Sequence, residues 1–300
     1  MQIRSLLAIC FCFFTGFMSA QKLYVLGTLQ DGGSPHMGCE KLCCAVEKAN
    51  DYVSSIGVEG AHKSYIFDAT PDVVSQTNYL REVSGHNEVA IFLTHAHMGH
   101  YTGLMHFGRE AYNASETLVY AMPKMTSFLN QNGPWSQLVS LKNITLKPLQ
   151  ENQAVFLDQS LSVTPLKVPH RDEYSETVGY LIKGKNKTAL YIPDIDKWSK
   201  WTVAIEQLIE QVDYAFLDGT FFLDGEVPRP MAEVPHPFVS ETAALLSSLP
   251  LKERQKVYFI HLNHSNPARN AEFQGRIALE KQGFHFAEFG LSFDPSLIHI

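Results

Sequence analysis

Short apolar runs closed by Gly, Pro, Asp or His recur along the chain, and long helical stripes are few. Runs of this length, rich in β-branched and aromatic residues, predict strands. Residues 22–28, 64–69, 88–94, 118–121, 214–219 and 256–260 are of this kind. The run at 88–94 is apolar without alternation, which predicts a strand covered on both faces. From 144 to 168 apolar and polar residues alternate in brief stretches, which predicts antiparallel strands. Residues 177–183 and 188–192 bracket Gly184-Lys185-Asn186-Lys187, a hairpin turn. Helical spacing marks 125–132, 198–211, 240–248 and 269–283, and Pro71 can open another helix. Residues 31–35 (Asp-Gly-Gly-Ser-Pro) read as a loop. Strands come first, then helices and strands mixed, with polar residues where strands end. The pattern predicts one α/β domain over residues 21–300, with two sheets and outer helices.

Composition narrows the partners. Of 300 residues, 45% are aliphatic or aromatic and only 18% are charged, with a formal net charge of −7. An acidic balance repels phosphate backbones, so a small-molecule substrate is expected rather than a nucleic acid. The first twenty residues stand apart: Arg4 precedes an apolar run to Phe17, and small residues end at Ala20. That is the layout of a secretory signal peptide, so export to a periplasm or beyond, with cleavage near Ala20, is expected. No later stretch is long and apolar enough for a membrane span. Oligomeric state has no signature in the sequence.

Loss of that leader leaves Cys39, Cys43 and Cys44. Three clustered thiols cannot staple a domain of this size. With His36 nearby they can hold a structural metal; a local disulfide with a buried Cys44 is the alternative.

The chemistry centres on residues 93–104, Leu-Thr-His-Ala-His-Met-Gly-His-Tyr-Thr-Gly-Leu. Three histidines, His95, His97 and His100, follow a strand directly. Imidazole is the commonest neutral metal ligand, and adjacent imidazoles bury poorly without partners. Residues two apart on a turn can face one ion, and a third at the start of the next helix can approach from the side.

This segment resembles the His-x-His-x-Asp-His signature of the metallo-β-lactamase superfamily. The resemblance implies an αββα sandwich and a metal centre at the strand ends. It departs at Gly99, where the pattern has an Asp that helps hold a second ion. Either one ion is bound or another residue substitutes. Further on, the resemblance marks His170 after Val168-Pro169 as a ligand and Asp194 after Tyr191-Ile192-Pro193 as the bridging carboxylate. Asp196 competes with Asp194, which follows the apolar run more directly. His261 matches the final family histidine, and His264 is the candidate to replace the carboxylate missing at Gly99. Residues 170–180, 218–221 and 261–267, with the early Gly-Gly-x-Pro loop, also resemble the coenzyme PQQ synthesis protein B group.

Three functions suit such a centre. A hydrolase would use one or two Zn²⁺ ions held by His95, His97, His100, His170, Asp194, His261 and His264. Asp194 would orient the attacking water, and His100 or His264 would manage protons. Phosphodiester, lactone, thioester and amide substrates fit equally. The resemblance to the PQQ synthesis group implies Fe²⁺ and oxygen chemistry as the alternative. A non-catalytic binding protein on the same fold is the third. Asp218-Gly219-Thr220 reads as a turn at the pocket, and His236, between prolines, as a loop residue that can touch substrate.

Overall fold

The computed structural model describes residues 21–45, 49–227 and 230–293. The expected leader at residues 1–20 therefore lies outside the described residues.

The strands divide between two sheets. The first is built from β1 (Leu23–Gly27), β2 (Ser55–Glu59), β3 (Ser64–Phe67), β4 (Val89–Phe92), β5 (Thr117–Ala121) and β6 (Ile144–Pro148). The second is built from β7 (Val155–Phe156), β8 (Ser162–Lys167), β9 (Val178–Lys183), β10 (Thr188–Ile192), β11 (Tyr214–Asp218), β12 (Val257–Ile260) and β13 (His285–Phe286). A last strand, β14 (Ser292–Phe293), returns to the first sheet beside β1. Among the described residues each sheet has seven strands, in the orders β14-β1-β2-β3-β4-β5-β6 and β13-β12-β11-β10-β9-β8-β7. Strands β3 to β6 are parallel, as are β10 to β13.

Side-chain alternation sorts each strand into two faces. Along β4, Ala90 and Phe92 point between the sheets, while Val89 and Ile91 point outward. The inner layer joins Phe67 and Phe92, stacked at 5.0 Å, to Tyr180 and Tyr191 of the facing sheet. On the outer face of the first sheet, Leu26, Ile66 and Ile91 pack against α1 (Val73–Ser84), α3 (Pro123–Gln131) and α4 (Trp135–Ser140); one-turn α2 (Met98–Tyr101) follows β4. The second sheet packs Leu190, Leu217 and Phe259 against α5 (Ile205–Gln211), α6 (Val239–Leu245) and α8 (Gln274–Lys281), with one-turn α7 (Leu251–Arg254) leading into β12. The order of layers is helix, sheet, sheet, helix, which is the αββα sandwich.

Some expectations need correction. Residues 144–168 do not form antiparallel strands throughout: β6 joins β5 in parallel, and only β7 and β8 pair antiparallel. The segment 198–211 is interrupted. Trp198 Nε1 donates to Thr242 Oγ1 and Trp201 Nε1 to the Lys167 carbonyl, and these ties hold a short 3₁₀ turn apart from α5. Likewise the helix expected at 269–283 is confined to α8, because a 3₁₀ turn at Pro267–Arg269 is capped by Asn266. Strand β2 was not expected from its pattern, since Gly57 breaks it. A Cβ there would meet Leu80 Cδ1 of α1 at 2.7 Å, so glycine is what lets the helix lie on the sheet. Among the described residues no helix is long and apolar enough to cross a membrane.

Candidate metal centre

Strands β1, β3, β4, β8, β10, β11 and β12 all run toward the same edge of the sandwich, and each ends in or leads within a few residues to a polar side chain there. In one sheet these are Asp31, Asp68 and the 95–100 histidines; in the other, His170, Asp194, Asp218 and His261. Three groups of ligand-type atoms result at this edge, with every atom of a group within 4.8 Å of the others; the smallest, Asp194 with Asp218 and His236, is an ion-paired cluster that backs the two larger ones.

The first group is His95, His97, His170 and Asp194. His95 Nε2 and His97 Nδ1 are 2.7 Å apart, and His170 Nε2 is 3.3 Å from His97 Nδ1. Asp194 Oδ2 lies 3.3 Å from His95 Nε2 and 3.2 Å from His170 Nε2. Ligands of a tetrahedral zinc with bonds of roughly 2.0–2.1 Å stand roughly 3.3 Å from one another. Ring nitrogens this close repel unless a proton or a cation lies between them, so the donor set fits a metal. Burial, with the charge of His100, holds His95 well below the usual imidazole range, in the neutral form that ligates. Burial opposes ionisation of Asp194, but the neighbouring His170 and His236 prevail and keep its carboxyl well below the usual range.

The second group is Asp31, His100, Asp194 and His261. His100 Nε2 is 3.0 Å from Asp31 Oδ1 and 3.9 Å from Asp194 Oδ2, and His261 Nε2 is 3.2 Å from Asp31 Oδ1. Asp194 is thus the one residue common to both groups.

Outer partners set the rings. Asp68 ends β3 with φ 71°, accepts from Thr94 N and Oγ1, and stands 2.7 Å from His100 Nδ1. Burial would discharge His100, but Asp68 and Asp31 raise it well above the usual range. Thr220 Oγ1 donates to Asp218 at 2.6 Å and lies 2.9 Å from His261 Nδ1. His236 Nδ1 donates to Asp218 Oδ2 at 2.8 Å and stands 3.1 Å from Asp194 Oδ1. Burial works against its charge, yet Asp218 and Asp194 push its pKa up to about 10. Such carboxylate–histidine pairs fix tautomer and orientation in metal sites.

A cleft of about 650 Å³ opens beside this edge, lined by Gln30, Arg171, Thr220, His236, Asn263 and His264 among others. The placements change two expectations. His264 does not join His100; it converges with Cys39, Cys43 and Cys44. His36, expected with those cysteines, instead stacks on the His264 ring at 4.1 Å and is outside the converging set. The cysteines form no disulfide: Sγ separations of 3.9 Å are far beyond a bond and near the roughly 3.8 Å that sulfurs keep around one zinc. Asp196 faces away, with Oδ2 2.7 Å from Lys200 Nζ, so Asp194 alone of the pair points inward. The sequence pattern marks Asp31 as a loop residue, Asp68 as a strand end and Asp218 as a turn residue at the pocket, and assigns none of them to the centre. The signal in the sequence is an acid at or shortly after the end of an apolar run, repeated on several strands.

Comparison with known proteins agrees with this architecture. Residues 63–262 match the family model described as the β-lactamase superfamily domain. A curated relative, coenzyme PQQ synthesis protein B of Methylobacterium sp. (strain 4-46), is 24% identical over 303 residues, spanning 89% of this chain and 98% of the relative. Among solved structures, Zn²⁺-bound PqqB from Methylobacterium extorquens superposes with a TM-score of 0.76 at 21% identity, covering 91% of this chain and 99% of that one. A diphosphatase of the PhnP family follows with a TM-score of 0.63 at 22% identity, covering 91% and 96%. With the family match running from β3 through β12, and so through the strands behind every histidine of the two groups, the chain belongs to the β-lactamase superfamily domain family.

Proposed function

We propose that this chain is a metal-dependent hydrolase acting on a small polar substrate, with His95, His97, His170 and Asp194 holding zinc. One observation carries the reading: four ligand atoms from both sheets converge within 4.8 Å of one another, with His95 Nε2 and His97 Nδ1 only 2.7 Å apart. A cation held by these four residues would supply a water acidified from a pKa of about 15.7 to about 7 and a Lewis acid for the scissile group. The chain does the rest. Asp194, kept ionised, orients the attacking water by accepting a hydrogen bond from it. Charged His236 holds Asp194 from behind and faces the cleft. Arg171 at the exposed rim suits an anionic substrate group. Cys39, Cys43, Cys44 and His264 supply a separate, structural zinc site. The apolar leader supports activity outside the cytoplasm after cleavage near Ala20.

The test is a panel of phosphodiester, lactone and thioester substrates, with bound metal measured in parallel. Zinc-dependent turnover should appear, and the His95→Ala/His97→Ala variant should lose at least a hundredfold in kcat/KM with zinc gone from the centre. Iron in the purified protein together with oxygen consumption would replace the hydrolase by an oxygenase. A Cys43→Ser variant should bind less zinc while keeping turnover; unchanged zinc would remove the structural site.

A further inference from the structure

Gly99 stands where the superfamily signature carries an aspartate, and the structure shows what fills the space. A Cβ built on Gly99 would lie 2.5 Å from Asp31 Oδ1 and 2.7 Å from both its Cγ and its Cα. No real Cβ tolerates such contacts, and the obstruction includes backbone, so it cannot swing aside. A side chain at 99 and Asp31 in its present position exclude one another.

Asp31 is held there by the fold. Gln30 N donates to the Leu262 carbonyl at 3.0 Å, and Leu262 N donates to the Thr28 carbonyl at 2.7 Å. These bonds clamp the segment after β1 to the residue next to His261. Oδ1 of Asp31 then lies within 3.2 Å of both His100 Nε2 and His261 Nε2. A second observation points to the same space. Among the described residues His100 Nε2, fully buried, has no aligned hydrogen bond, even to the nearby Asp31. Its other nitrogen is already committed to Asp68. A buried ring nitrogen left without an aligned partner is costly unless something else occupies that direction.

We propose that Asp31 supplies, from the loop after β1, the carboxylate absent at position 99, and with His100, Asp194 and His261 closes a second divalent-cation site. The acid has changed its place in the chain while keeping its place in space, and glycine at 99 is the steric condition for that exchange. The assignment rests on the reading of the adjoining His95–His97–His170–Asp194 group as a metal site.

The test counts zinc. Protein stripped with chelator is reloaded with excess zinc, desalted, and its zinc per chain measured by mass spectrometry, with circular dichroism to check folding. Asp31→Ala should carry one equivalent fewer than the parent chain, and Gly99→Ala, whose Cβ would force Asp31 out of its place, should show the same loss. If Asp31→Ala fails to fold, Asp31→Asn keeps the shape, removes the charge and should show the same loss. Full zinc in a folded Asp31→Ala or Asp31→Asn variant would overturn the assignment. So would a folded Gly99→Ala variant that keeps full zinc. The His95→Ala/His97→Ala variant separates the two readings: if it loses no zinc, the metal centre itself falls, and not merely the role of Asp31.

Discussion

Asp194 and Glu226 show opposite outcomes for a carboxyl taken out of water. Burial works against the charge of both. Around Asp194 the imidazoles of His170 and His236 reverse the effect and preserve an anion. Glu226 accepts from the backbone N–H groups of Phe222 and Leu223, its Oε2 has no partner among the described residues, and burial pushes its pKa up to about 7. Its folded-state pKa is above the ordinary 4.5, so the neutral form is the one the fold favours. The stability this provides is fully present below the unfolded pKa and is lost as pH rises through about 7. Glu226→Gln keeps the accepting oxygen and removes the titration. Scanning calorimetry should show little difference from the parent at pH 4.5 and an advantage of a few degrees for the variant at pH 8. An advantage that did not grow across that window would contradict the account.

At the level of the element, the site depends on how one strand end is tied to the other sheet. Leu93 follows β4 and precedes the histidine segment. Its carbonyl accepts from the buried hydroxyl of Tyr180 on β9, and Ala96 N donates to Ser175 Oγ at 2.8 Å. The Tyr180 ring also packs on Phe67 and Phe92. Tyr180→Phe would keep the ring contacts and leave a buried carbonyl unpaired, at a cost of about 1–3 kcal/mol. The melting temperature should fall by several degrees, read by calorimetry; an unchanged value would show that the tie contributes nothing. Most strands are readable from their apolar runs, though β2, β13 and β14 are not, and the three-histidine segment is readable from its spacing. Where helices stop was not readable, because α5 and α8 are cut short by tryptophan and asparagine side chains bonding to distant elements or to a local cap.

At the scale of the whole molecule, the ligand groups join the two sheets, since His95, His97, His100 and Asp31 extend from one and His170, Asp194 and His261 from the other. A cation that binds only the assembled sandwich stabilises it by mass action, roughly 4 kcal/mol at a thousandfold excess over its Kd. Chelator should therefore lower the melting temperature by several degrees, and added zinc should restore it. A melt indifferent to both would mean that no cation couples the sheets. What the sequence by itself determined was local: which runs become strands, that polar residues close them, and that three histidines cluster behind one of them. Those features follow from periodicity and residue chemistry over a few neighbouring positions. Only the tertiary structure decided that Asp31 lies against Gly99, that His264 belongs with the cysteines, and that Asp68, Asp218 and His236 hold the rings. Each of those pairings joins positions far apart in the chain, and their proximity comes from sheet order and packing, which no local pattern encodes.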